Sequence, residues 1–91
     1  MYTPYLSEFV GTFIFVLAIV MFSQPFLIAA TFLAVILITG PYSGGHVNPA
    51  VTLAMLFKGD INFATAAPYI LAQVAGALLA IQASKYLKAR M

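Results

Sequence analysis

The chain has no cysteine and no tryptophan, a single histidine, and only two acidic and four basic residues in 91. Without cysteine there is no disulfide and no thiolate ligand or nucleophile. One histidine cannot assemble a metal site with so few other ligands, so no metal is implied. Glu8 and Asp60 stand far apart in the chain and form no catalytic set with His46. Enzyme chemistry is therefore not expected, and no cofactor is implied. The net charge of +2 is too small and too scattered for a nucleic-acid partner.

Charge is scarcest where the chain is most apolar. From Phe9 to Phe57 there is no Asp, Glu, Lys or Arg. The composition is 64% hydrophobic and the mean hydropathy is +1.05, outside the range of soluble globular proteins. So short a soluble chain could not bury that much apolar surface, and the excess must face lipid. The sequence describes one small, all-α, multi-pass integral membrane domain. Met1–Glu8 lacks a basic leader, and no small-residue cleavage site follows the first apolar run, so a removable signal peptide is not expected.

Three segments are long enough to span. Thr3-Pro4 reads as a helix start with Thr3 as N-cap, and the run to Phe22 makes about 28 Å of helix, close to a hydrocarbon core of about 30 Å. Ser23-Gln24-Pro25 is a reversal and a new start. The second helix, residues 25–39, is predicted to end at Gly40-Pro41, because proline restricts the residue before it and cannot continue the ladder. The third long helix covers residues 62–88, capped by Asn62, with Pro68 as a kink or second beginning. Lys85, Lys88 and Arg90 then anchor one interface with Tyr86 among them, and Tyr2 and Tyr5 mark the other.

Residues 40–59, GPYSGGHVNPAVTLAMLFKG, fit none of these spans. After Asn48 there are about nine helical residues, roughly 14 Å or half a bilayer. Extended chain over Tyr42–Val47, at about 3.3 Å per residue, descends a similar depth. The segment is thus predicted to enter as loop, turn at Asn48, and return as a half-helix to Lys58, Gly59 and Asp60. Irregular backbone at that depth survives only where protein covers it or water lines it, so a water-lined path is implied. Asn48 is a good N-cap and Pro49 a good first helical residue. The positive end of the half-helix dipole then points at the midplane, and Gly44 and Gly45 permit backbone conformations that turn carbonyls toward a lumen. One amide donor at a positive dipole end orients a water molecule and opposes cations, protons included.

Ser43–Thr52, SGGHVNPAVT, resembles the first-half signature loop of the aquaporin and glycerol-facilitator family. The resemblance extends to Glu8–Phe13 (EFVGTF) and to Pro68–Gln73 (PYILAQ) with Gly76, three blocks in the family's order over nearly the whole chain. It implies a fold of three transmembrane helices plus one re-entrant half-helix, half of an inverted repeat that in the family has six spans and two such half-helices. It also implies a constriction at Asn48, Pro49, Ala50 and Val51, with Ser43, Gly44, Gly45, His46 and Val47 as the pore-lining loop. In the family's second half an arginine usually follows the NPA triplet, whereas Val51 stands in that place here. The second-helix positions that could face a pore, Ile28, Thr31 and Val35, hold no basic or aromatic group.

Other polar residues have two readings each. Glu8 is either an acid favoured near a helix N-terminus or, as the resemblance implies, a buried carboxylate accepting backbone N–H groups of the loop. The second is preferred, since ionisable groups in spans are costly. Gln73 is read as a second brace, and His46 as a hydrogen-bonding strut before a pore gate. Ala72, Gly76 and Ala80, with Gly11 on the first helix, make small faces suited to close helix packing, with the first helix or another chain as partner. The phenylalanines face lipid or pack.

Half a channel needs a second half. It can come from an inverted copy of this chain, from a complementary partner, or from the remainder of a longer protein. Lys85, Lys88 and Arg90 against Lys58 favour a cytoplasmic carboxyl terminus, whereas first halves in the family usually lie the other way. A chain of mixed orientation would show such a conflict. The leading expectation is a homo-oligomeric water channel of inverted pairs, gathered into a larger ring. The alternatives are a facilitator for glycerol or another small neutral solute, and a non-conducting membrane interaction protein such as a truncated half that binds full-length relatives.

Overall fold

The computed structural model describes residues 2–90, with side-chain surroundings given as far as Lys88. The anchoring role expected of the Arg90 side chain lies outside the described residues. Four helices and no strand make up the described chain: α1 (Thr3–Met21), α2 (Pro25–Ser43), α3 (Pro49–Lys58) and α4 (Phe63–Arg90). Three of them, α1, α2 and α4, are long and apolar enough to cross a membrane, and α3 is not. The fold is the all-α membrane half-repeat expected from the sequence.

α1 lies in the middle, with α2 on one side and α4 on the other, and α3 leans on α4. Ser43 at the end of α2 meets Glu8 near the start of α1, and Tyr5 packs edge-on against Tyr69 of α4 at 5.9 Å. The start of α1, the end of α2 and the first half of α4 therefore share one end of the bundle. The interior is unusual for its size: Glu8, Thr12, Thr39, Ser43, Thr52, Gln73 and Ser84 are buried, as are Val35, Val47, Tyr69 and a few small residues. Leu33, Leu37, Ile38 and Phe57 lie mostly exposed. Lipid asks nothing polar of the outside, so the helices associate through small side chains and hydrogen bonds within.

Close approach is built on two glycines. A Cβ on Gly76 of α4 would collide with the Phe9 carbonyl oxygen of α1, so the small face of α4 has α1 as its partner. Ala80 is fully buried on that same face, and Ala72 is half-buried. A Cβ on Gly11 would meet Thr39 Cγ2 of α2 and Val47 Cγ1 of the loop, each at 2.9 Å.

Several local expectations are corrected. Thr3 is not the N-cap; Tyr2 is, without a side-chain cap bond, and Thr3 and Pro4 are the first helical residues. α2 does not stop at Gly40-Pro41 but runs through Pro41 to Ser43 and ends on Gly44 with φ of 89°. Gly40 has no Cβ to clash with the proline ring, which removes the usual objection to a helical residue before proline. The last turn is then tied down remotely: Ser43 Oγ donates to Glu8 and the Ser43 carbonyl accepts from Tyr69 Oη at 2.8 Å. The loop is accordingly short, Gly44 to Asn48, and the extended descent expected over Tyr42–Val47 is replaced in its first two residues by helix. Pro68 lies inside an unbroken α4 rather than at a second beginning. Val35 does not face a lumen; it is buried, 3.3 Å from the place a Gly11 Cβ would take. Asn62 does cap α4, accepting from the Thr65 N–H at 3.0 Å.

Candidate functional site

The site is a loop hung from one carboxylate. Glu8 lies in the second turn of α1 and has no exposed surface. Its Oε1 accepts from the Val47 N–H at 2.8 Å and from Gln73 Nε2 at 2.7 Å. Its Oε2 accepts from Ser43 Oγ at 2.6 Å and from the His46 N–H at 3.1 Å. Four donors use the roughly four lone-pair directions a carboxylate has, which is how an acidic group is held in an apolar setting without an ion pair. Glu8 thereby joins α1, the end of α2, the loop and α4 at a single point.

The loop between Ser43 and Asn48 turns on left-handed backbone. Gly44 and Gly45 have φ of 89° and 67°, which glycine adopts freely. Val47 has φ of 44°, an outlier for a β-branched residue. Its N–H bond to Glu8 and its side chain seated against Gly11 hold that strain in place.

Gly11 is the ninth of nineteen residues of α1, so Val47 and the adjoining Asn48 reach mid-height of that helix. From there α3 returns over ten residues, about 15 Å, to the Gly59 cap at the end where α4 begins. Asn48 caps α3: its Oδ1 accepts from the Ala50 N–H at 2.8 Å, with Pro49 the first helical residue. With Oδ1 so committed, Nδ2 is what the exposed Asn48 side chain offers outward. The N-terminal end of the α3 dipole lies behind it.

Thr52 ties the half-helix to this cluster. Thr52, one turn into α3 and fully buried, accepts from Gln73 Nε2 at 2.8 Å and lies 2.8 Å from His46 Nδ1. The His46 ring packs edge-on against Tyr69 at 5.1 Å. Ser7 Oγ lies 3.1 Å from Ser43 Oγ.

The residues picked out from the sequence thus come together around Glu8, but not all in the same posture. Ser43 is buried as the last residue of α2 and works in the bracing cluster rather than as exposed loop; Val47 is buried beside Gly11; Gly44 is exposed, and Gly45 and His46 are half-buried. Asn48 and Ala50 are exposed, Pro49 and Val51 half-buried. Thr52, Tyr69 and Ser7 were not among the expected site residues. Their signal was present: Tyr69 precedes Gln73 by four residues, Thr52 follows Asn48 by four, and Ser7 adjoins Glu8, each a polar group within an apolar run.

Residues 22–91 match the sequence profile of the family described as Major intrinsic protein. The chain is 42% identical over 90 residues to the glycerol uptake facilitator protein-like 6 of Lactiplantibacillus plantarum, covering 89% of this chain and 42% of that protein. It is 48% identical over 44 residues to the glycerol uptake facilitator protein of Streptococcus pneumoniae, covering 48% of this chain and 19% of that one. With aquaporin-5 of Homo sapiens it shares 51% identity over 39 residues, 43% of this chain and 15% of that protein. The chain spans less than half the length of the curated relatives it matches. No solved structure matches.

Proposed function

The chain belongs to the major intrinsic protein family, and from that premise we propose that it is a subunit of a passive water channel whose pore is completed by a second half. It is an integral membrane protein, and nothing in its residues calls for catalysis. One observation carries the proposal: the braced loop brings Asn48 to mid-height of α1 and starts there a helix of half-bilayer length. Asn48 Nδ2 and the positive end of α3 orient a water molecule and oppose protons and cations. Pro49, Ala50 and Val51 form this half of the constriction, and the Gly44–Val47 backbone lines the approach. Glu8 and Gln73 hold the loop in place.

The second half is an inverted copy, a complementary chain or the remainder of a longer protein, and in the first case pairs gather into a larger ring. In the inverted pair two Asn48 side chains meet at the midplane across an in-plane two-fold axis. The test is stopped-flow swelling of vesicles containing only this chain. Permeability well above that of empty vesicles is expected; equal permeability with the protein folded removes the homomeric version.

A second reading is favoured by the relatives' names. A relative matched over 89% of this chain is named glycerol uptake facilitator protein-like 6, and Val51, Ile28 and Thr31 carry no charge that would oppose a small neutral solute. Glycerol uptake measured beside water flux decides between the two permeants. A non-conducting role predicts neither flux, with crosslinking to full-length relatives instead of to itself.

A further inference from the structure

Two buried oxygens in the braced core have no partner among the described residues: Thr12 Oγ1 and Gln73 Oε1. Both residues are all but sealed, at 3% and 0% exposure. Buried polar atoms are nearly always hydrogen-bonded, and each one left alone costs about 1–3 kcal/mol.

Gln73 cannot mend this by turning over. Its Nε2 already donates to Glu8 Oε1 at 2.7 Å and to Thr52 Oγ1 at 2.8 Å. A flipped amide would place its oxygen against the carboxylate, acceptor facing acceptor. The amide is therefore locked with Oε1 turned away from Glu8 and wanting a donor. Thr12, one turn beyond Glu8 on α1, does not follow the two threonines of α2. Thr31 and Thr39 turn their hydroxyls back on the carbonyls four residues earlier, at 2.8 and 2.7 Å, whereas the Thr12 hydroxyl makes no such bond.

Both residues border one cleft of about 310 Å³, with Val16, Asn48, Ala77 and Leu78 among its other walls, and the two oxygens lie just behind its surface rather than open to it. A single water needs only about 30 Å³ and two to four polar partners. We propose that the recess between Thr12 and Gln73 is a binding site for one long-lived water molecule, set behind Asn48. That water donates one hydrogen to Gln73 Oε1 and accepts from, or donates to, Thr12 Oγ1. Its remaining hydrogen-bonding capacity faces the cleft toward Asn48. The water fixes Gln73, and through Gln73 the Glu8–loop brace. It is a resident of the wall and does not depend on whether the chain conducts.

The test is water-edited solid-state NMR of the full, isotope-labelled chain in lipid bilayers, reading transfer from water to the Gln73 side-chain amide. The expected result is a contact from slowly exchanging water at Gln73, retained in Thr12→Ser and reduced at least several-fold in Thr12→Val. A dry Gln73 in the folded chain overturns the proposal, since the oxygen must then be met by a side chain from elsewhere. Equal transfer in wild type and Thr12→Val overturns Thr12 as an anchor and with it the site as drawn. Vesicle swelling run on the same samples keeps the two claims apart: flux without bound water sinks this site alone, and bound water without flux sinks the channel alone.

Discussion

Glu8 Oε1 and the backbone N–H of Val47 lie 2.8 Å apart across 39 residues of sequence. That bond ties a side chain of the first helix to the one non-glycine residue with left-handed backbone among the described residues. The depth of the loop is set by α1, and the strain at Val47 is held by it. Replacing Glu8 by Gln keeps the shape but turns an amino group toward two of the four donors. Thermal unfolding in detergent should show a loss of roughly 3 kcal/mol, from two charge-assisted bonds broken in the interior. Water flux, where present, falls with it.

Asn48→Ala removes the cap while leaving Pro49 to start the helix. A loss of about 1 kcal/mol is expected, small enough for the fold to survive. Flux per folded protein in vesicles should drop well beyond what that stability change explains, because the outward amide donor is gone as well. An unchanged flux would separate capping from conduction.

Tyr69→Phe keeps the ring that packs on Tyr5 and His46 and deletes only the hydroxyl. The Ser43 carbonyl at the end of α2 then loses its donor. The expected cost is about 1 kcal/mol, read as a lower midpoint of thermal unfolding. Faster hydrogen exchange at Gly44 and Gly45 should accompany it.

Gly76→Ala places a methyl where the Phe9 carbonyl stands, and backbone on both sides cannot yield. Separating α1 from α4 should cost about 1–3 kcal/mol. Leu37→Ala is the control: the side chain is 68% exposed, and a change within about 0.5 kcal/mol is expected there.

What the sequence disclosed and what it hid divide along range. The start of α3 at Asn48-Pro49, the cap at Asn62 and the three spans rest on neighbouring residues and on apolar length, and all can be read from a short window. The end of α2 could not be. Gly40-Pro41 is a local stop signal, and it is overridden by Ser43 binding Glu8 and Tyr69, residues 35 and 26 positions away. Thr52 and Tyr69 stand out locally as polar groups in apolar runs, but their partners, Gln73 and the Ser43 carbonyl, are 21 and 26 positions away and come together only when the helices pack. The left-handed conformation of Val47 has no sequence signal, because nothing local favours it.

The four donors to Glu8 are made long after it. Ser43, His46 and Val47 follow it by 35, 38 and 39 residues, and Gln73 by 65. During synthesis α1 must enter the bilayer carrying a carboxyl group whose companions have not yet been translated. Its final seating therefore waits on α4, and a ribosome paused before Gln73 holds a first span whose carboxyl group still lacks its fourth donor.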